Sequence, residues 1–580
     1  MSSEELSHLR HSLAHLLAAA VLELYPDSKR TIGPAVDDGF YYDFKFSTPV
    51  SEEDLPKIEA KMRELLPTFT SFDRSEVSAD EARAAFADNK YKTELINEFS
   101  TEGQTLTLYR SGSYVDLCRG GHAESLANVD PESFKLSKIA GAYWRGDSEK
   151  DQLTRIYGLA FATAAELAAH SAMLEEAKKR DHRKLGAELK LFTFSDLVGP
   201  GLPLWTPRGT TVRMLLDGFV WSLRRAHGYE RVTIPHITKK DLYETSGHWA
   251  KYADDLFKIV TREKHTYAMK PMNCPHHAQI YASEMRSYRD LPVRYAETTM
   301  VYRDEQSGEL GGLTRVLSIT QDDAHVFCRL SQVREEAEKI WGIITTFYGA
   351  FGYELSLRLS RRDPAMPEKY LGDSADWDRS EAELRDIIES HVGSAYADGP
   401  GEAAFYGPKI DFMAKDSIGR THQVATIQLD FNQPRNFGLT CVNEQGEKEQ
   451  IVMVHCAIMG SIERFMAVLI EHLGGAFPMW LAPYQIRIAT VSDAFVPAAT
   501  ELKEKLSAAG LRVELDASDE KVGKKIRASA MMKVPWTIVF GAKEAEGGDF
   551  KINVFGATED LMVPQADLVA TALNAAKTPR

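Results

Sequence analysis

The stretch Val301-Tyr-Arg-Asp-Glu-Gln-Ser-Gly308 closes an extended run that begins at Val293. Arg303 and Glu305 are two apart, so on a strand they share a face. A guanidinium fixed there can hold a phosphate through paired hydrogen bonds, and the carboxylate beside it can accept one from an amino group such as that of adenine. An ordinary surface ion pair would use the same two residues. Further on, Arg315 falls on what reads as the return strand of a hairpin, and Gly460-Ser-Ile-Glu-Arg-Phe465 puts Arg464 at the start of a helical run. A second arginine there suits a triphosphate, although Glu463–Arg464 also reads as plain helix charge.

Around this stretch lies a chain of 580 residues, too long for one hydrophobic core and expected to form three or four domains. Its 44% hydrophobic and 26% charged content is that of a globular protein. No run approaches the length of apolar residues a membrane helix needs, and the acidic start Met1-Ser-Ser-Glu-Glu-Leu-Ser-His8 is not a signal peptide. Five scattered cysteines (118, 274, 328, 441 and 456) point to a reducing compartment, hence a cytoplasmic protein. The net charge of −15 leaves a local basic surface open.

Leu6, Leu9, Leu13, Leu16, Leu17, Ala20 and Leu24 recur at helical spacing until Pro26. Strand-like text such as Gly39–Phe44 and a helix over Glu52–Leu66 follow. The charged run Glu175–Lys184 reads as a solvated connecting helix. From Leu191 a long body with several strands runs to Pro483. The tail then alternates: strand Gln485–Val491, helix Pro497–Ala509 with proline first, strand Leu511–Leu515, helix Lys521–Met531, strand Trp536–Phe540, implying a small parallel-type sheet. The partition expected is 1–165, a linker helix 166–186, 187–482 and 483–580.

His11 and His15 project from one face of the first helix. Cys118 and His122, in Tyr114-Val-Asp-Leu-Cys-Arg-Gly-Gly-His122, repeat the spacing with Asp116 close by. Such a set suits either zinc or hydrolysis, and a lone pair of this kind also occurs without function. In the middle body, Cys274 (Lys270-Pro-Met-Asn-Cys-Pro-His276), His325 (Gln321-Asp-Asp-Ala-His325) and His455 (Val452-Met-Val-His455) are not linked by spacing.

Arg-x-Glu before a loop, the later Gly-x-x-Glu-Arg, and Pro235 in Gly228–His236 together resemble the signature motifs of class II aminoacyl-tRNA synthetases. Within that class the chain resembles the threonyl family through Arg10–Leu17, Ile32-Gly-Pro34, Gly39–Asp43, Ala142–Asp147, Lys179–Lys184, the Met-Asn-Cys-Pro run, Thr320–His325, Phe405–Lys409 and Gln428–Phe431. The resemblance spans essentially the whole chain. It implies a multidomain α/β and α+β protein: an α+β editing domain, a catalytic domain on an antiparallel sheet, and a small α/β anticodon-binding domain. It also implies a form lacking the ubiquitin-like domain that precedes the editing helix in many bacterial relatives.

What the family does is carried over as expectation. Cys274, His325 and His455 would bind one Zn²⁺, leaving a position open to threonine's amino and hydroxyl groups. Valine lacks that hydroxyl and would be rejected; serine lacks only a methyl, too little for accuracy, so a second site must edit. Arg303 would orient the ATP α-phosphate, Glu305 the adenine and Arg464 the γ-phosphate, with Arg315 as a further contact and Mg²⁺ accompanying ATP. Tyr406, Lys409, Gln423 and Gln428 match the amino-acid and adenylate pocket. His11, His15, Lys92, Asp116, Cys118, His122 and Tyr42 match the editing pocket, where water is expected to be activated without a metal. The partners implied are tRNA(Thr), ATP, L-threonine and a second copy of the chain through the Pro235 motif, with no membrane. Departures from the family pattern are Gly311, Leu317-Ser-Ile319 and Cys456. Glu544 matches an anticodon-reading position, but Asn553 stands where arginine is usual and cannot form a guanidinium's paired contact to guanine.

Overall fold

The computed structural model describes residues 1–579 apart from Ser148 and Ala253, and of Ser307 the backbone only. It divides into two compact units, Met1–Glu175 and Glu176–Arg580.

In the first unit, Ser2 and Glu5 cap each other's N–H groups and start the helix Ser3–Leu24. Leu9, Leu13, Leu16 and Leu17 of that helix are buried with Phe40, Phe44 and Ile156 of an antiparallel sheet. The sheet runs in the order Lys29–Arg30, Gly39–Lys45, Gln152–Ala160, Phe134–Tyr143. Glycine is required at 158, because a Cβ there would lie 2.4 Å from the Phe40 ring. The expected helix at Glu52 begins as a 3₁₀ turn, Glu52–Asp54, before the α-helix Leu55–Leu65. A smaller sheet, Asp73–Glu76, Thr107–Ser111 and Tyr114–Leu117, ends at Cys118 and so delivers the Cys118–His122 segment to the first helix.

The charged run expected to be one solvated helix is not one. The helix Ala164–Arg180 stops, Asp181 accepts the Arg183 N–H at 2.8 Å, and a second helix, His182–Glu188, begins with His182 buried. An N-cap aspartate placed inside a charged text is what breaks the helix.

The second unit is built on eight strands in the order Glu230–Arg231, Val293–Tyr302, Ser318–Cys328, Val452–Ser461, Thr421–Asp430, Lys409–Lys415, Glu354–Arg361, Ala397–Pro400. The two edge strands pair parallel and all inner pairs are antiparallel. Helices Val333–Gly349 and Ile462–His472 cover this sheet, with Ile340, Ile344, Phe347, Phe465 and Leu469 in the core. The tail has its own core around Ile488, Ile538 and Ile552. Its strands Ile486–Thr490, Val513–Asp516 and Trp536–Phe540 are parallel, as the alternation predicts, whereas Phe550–Val554 and Leu561–Val563 add antiparallel. Pro497 is the second helical residue, after Val496, another position where no intrahelical donor is lost.

Candidate active sites

Register brings distant residues into one row across the large sheet. Tyr295 faces His325, His325 faces His455, His455 faces Gln428, and Gln428 faces Lys409. Side chains directly opposite in a sheet lie close together on one face. The thiol of Cys274, on the first turn of the helix Cys274–Ala282, completes a cluster whose ligand atoms all lie within 4.8 Å. All three residues are buried. One nitrogen of each ring is already held: His455 Nε2 contacts Asp430 at 2.9 Å, and His325 Nδ1 contacts His277 Nδ1 at 2.8 Å. Partners of this kind orient imidazoles for a metal and leave one nitrogen of each ring to bind it. Burial pushes the Cys274 thiol well above its usual range and His325 well below. A divalent cation would offset that cost for a thiolate, so the donor set, its burial and its supporting bonds fit zinc.

Beside the triad, the Tyr406 ring stacks on His455 with centroids 4.9 Å apart, and its hydroxyl donates to Gln428 Oε1 at 2.9 Å. Lys409 and Gln423 converge on Asp411, a fully buried carboxylate that spacing gave no reason to single out. Ser360 and Arg358 also donate to it, at 2.7 and 3.0 Å. His248 was missed as well. It is fully buried, with Nε2 3.8 Å from Cys274 Sγ and Nδ1 2.8 Å from Ser246 Oγ, and burial lowers it to about 4.

A cavity of about 400 Å³ gathers Arg303, Glu305, Arg315 and Arg464, with Gln321 and Ser461. The Arg303 guanidinium lies 5.7 Å from the Tyr252 ring, and its buried Nε has no hydrogen-bond partner among the described residues. A buried cationic donor left unpaired suits an anionic ligand. Arg315 pairs with Glu305 at 2.6 Å and Glu309 at 3.2 Å. Glu463 is no surface charge. It accepts from Thr320 N–H and Oγ1 at 2.7 and 2.8 Å, while Arg464 follows the Ser461 cap on the first turn of its helix.

The first unit holds a second cavity of about 400 Å³, lined by His11, His15, Tyr42, Lys92, Asp116 and Cys118. Cys118 Sγ lies 3.4 Å from His11 Nε2 and 3.3 Å from His122 Nε2. These three and His15 are close enough to share a cation. Asp116 is buried and bound by Lys92 at 2.7 Å, Tyr42 at 2.5 Å, Tyr114 at 2.9 Å and Arg30 at 3.4 Å. Burial opposes its ionisation, but Lys92, His15 and Arg30 outweigh it and hold the carboxyl well below the usual range. Burial lowers His15 to about 3 and, with His15 and His11 as neighbours, His122 to about 2; it raises the Cys118 thiol to about 11. At neutral pH the pocket therefore holds neutral imidazoles and a thiol, not a thiolate nucleophile.

Other sequence-derived positions lie apart from these cavities. The Glu544 carboxylate caps its own short helix by accepting the Gly541 N–H at 2.9 Å, and Asn553 donates to Asp560 at 3.2 Å. Before Pro235, the Ile234 N–H donates to Glu297 at 3.2 Å.

An antiparallel sheet carrying an Arg-x-Glu hairpin and a helix-borne arginine over one cavity defines a class II synthetase core. Residues 257–473 match the class II core domain model for the G, H, P, S and T enzymes. Residues 485–574 match an anticodon binding domain, and 106–157 the second additional domain of threonyl and alanyl tRNA synthetases. The chain is 50% identical to the threonine–tRNA ligase of Rubrobacter xylanophilus, over 95% of this chain and 86% of that one. It is 46% identical to that of Gloeobacter violaceus (98% and 92%) and 43% identical to threonine–tRNA ligase 1 of Bacillus subtilis (99% and 90%). Among solved structures, the RNA binding domain of threonyl-tRNA synthetase from Cryptosporidium parvum aligns with TM-score 0.66 and 36% identity, covering 69% of this chain and 99% of that one. The chain belongs to the threonyl-tRNA synthetase family.

Proposed function

We propose that this protein attaches L-threonine to tRNA(Thr) with ATP through a threonyl-adenylate, and hydrolyses mischarged Ser-tRNA(Thr) in its first unit. The observation that carries the synthetic half is the convergence of Arg303, Glu305, Arg315 and Arg464 on one cavity. Arg303 and Arg464 hold the α- and γ-phosphates of Mg²⁺-ATP, Glu305 accepts from adenine, and Arg315 exchanges its carboxylate partners for the nucleotide. These fixed charges stabilise the phosphorane-like charge as threonine's carboxylate attacks. Cys274, His325 and His455 would hold one zinc, which would supply a Lewis acid for threonine's amino and hydroxyl groups. Tyr406 and Gln428 shape the adjoining wall, and Asp411 orients Lys409 and Gln423.

In the first unit, without a metal, the neutral imidazoles of His11, His15 and His122 orient a water, and one of them accepts its proton as the oxygen attacks the seryl carbonyl. The ester C–O bond breaks, that proton passes to the ribose oxygen, and serine and free tRNA leave, while the protonated Cys118 thiol only positions the rings. The anionic Asp116 keeps Lys92 charged and fixed. The working partition is editing 1–165, a linker 166–186 drawn from the two helices Ala164–Arg180 and His182–Glu188, catalysis 187–482 and anticodon binding 483–580. Exposed Ile237, two residues after Pro235, and exposed Met300, on the strand that pairs with Glu230–Arg231, support a homodimer. None of the described helices is long and apolar enough to cross a membrane; the few scattered cysteines support a place in the cytoplasm.

Both halves are tested by charging tRNA(Thr) with labelled threonine and serine. The parent should accumulate only Thr-tRNA(Thr), and a His11→Ala variant should accumulate Ser-tRNA(Thr) at an unchanged rate of threonylation. No threonylation overturns the first half; a variant that still clears Ser-tRNA(Thr) overturns the second.

A further inference from the structure

His182 belongs to neither cavity, yet it is a buried histidine with both ring nitrogens engaged. Its Nδ1 lies 2.7 Å from Glu471 Oε1, and that oxygen also accepts the His182 backbone N–H at 3.0 Å. On the opposite side, the Leu313 backbone N–H donates to Nε2 at 3.1 Å. A ring that accepts at Nε2 and faces a carboxylate at Nδ1 carries its single proton on Nδ1. Asp181, His182 and Glu471 are grouped closely enough for a cation, but with both ring nitrogens in use they make a clamp and not a metal site.

The two things clamped are the two halves of the nucleotide cavity. Leu313 is fully buried in the loop between Arg303 and Arg315. That loop turns most tightly against the imidazole: Gly312 has φ +58°, and a Cβ on it would lie 2.4 Å from His182 Nε2. Glu471 sits on the helix Ile462–His472, whose first turn carries Arg464, and Arg420 secures its other oxygen at 2.5 Å. We propose that His182 is a positioning residue for the nucleotide site, a neutral imidazole that ties the loop carrying Arg315 to the helix carrying Arg464. This rests on the reading of those arginines as ATP ligands.

The test uses the full chain with His182→Asn. The asparagine amide can replace Nδ1 as donor to Glu471 but offers no acceptor where Nε2 stood, so the Leu313 N–H is left buried and unpaired. The KM for ATP in threonine-dependent pyrophosphate exchange should rise about tenfold, with the KM for threonine unchanged. The Leu313 amide should also lose protection in hydrogen exchange. Gly312→Ala, which presses on the ring from the loop side, should give the same split, and His182→Gln, whose amide oxygen reaches toward the Nε2 position, should recover part of the ATP affinity. An Asn variant with the parent's ATP KM and Leu313 protection overturns the clamp, as does an equal loss for both substrates in the Asn and Ala variants. If the parent shows no exchange, the synthetase reading fails, and Leu313 protection alone still decides whether the clamp exists.

Discussion

Replacing Asp411 with asparagine isolates the carboxylate on which the amino-acid wall is built. Asp411 is fully buried and receives Arg358, Ser360, Gln423 and Lys409 between 2.7 and 3.0 Å. Asparagine keeps the volume and removes the charge. Arg358 retains Glu402 at 3.3 Å, so the loss falls chiefly on Lys409, whose side chain is 12% exposed, and on Gln423, whose donor now meets an amide. Breaking a fully buried ion pair costs about 3–5 kcal/mol. Partial exposure of Lys409 and the surviving acceptor bring this to about 2–3 kcal/mol. Thermal unfolding should register that loss. In pyrophosphate exchange, kcat/KM for threonine should fall about 10- to 100-fold with the KM for ATP unchanged, because the nucleotide cavity does not use Asp411. A variant with the parent's melting temperature and threonine kinetics would refute the reasoning, and a selective loss of ATP affinity would place Asp411 in the wrong site.

Metal analysis of the full chain should give one zinc per chain, lost together with pyrophosphate exchange in Cys274→Ala; two per chain would place a cation among His11, His15, Cys118 and His122. Lys92→Met leaves the buried Asp116 without its nearest cation and should destabilise by about 3–5 kcal/mol while slowing Ser-tRNA(Thr) deacylation, as read by thermal melts and a deacylation assay. Acid should weaken the fold. His15 protonates near pH 3 when folded and near 6.5 when unfolded, so protons bind only to the unfolded chain between those values. That contribution is present above about pH 6.5 and is lost as pH falls, by about 1.4 kcal/mol per unit until pH 3. Melts from pH 7.5 to 5 should show a shallower slope in His15→Gln, whereas an unchanged slope would exclude His15 as the source.

Local elements were legible because local rules govern them. The first helix announces itself by leucine spacing up to Pro26, and the hairpin by the extended run from Val293. That strand nevertheless ends at Tyr302, and Arg303, Glu305 and Arg315, expected on the strands, all lie in the connection before the return strand Ser318–Cys328. The metal triad was not legible from spacing, since Cys274, His325 and His455 meet only through strand register, and register depends on pairing between segments far apart in the chain. Family resemblance named those residues; the sheet explains why they meet. His182 was hidden in a charged run whose average says solvated surface, although one residue of it is buried. Asp411 was hidden in strand alternation, where a carboxylate on an inward face differs from an outward one only by what packs above it. The role expected of Glu544 meets a physical competitor, because its carboxylate already caps a helix.

The measurement that bears most directly on the central claim is amino-acid-dependent ATP–pyrophosphate exchange on zinc-loaded protein with threonine, serine, valine and proline. The account predicts strong exchange with threonine, weaker exchange with serine, negligible exchange with valine and proline, and none in Cys274→Ala. Folded, metal-loaded protein that gives no exchange with threonine, or exchanges valine as well as threonine, would contradict it.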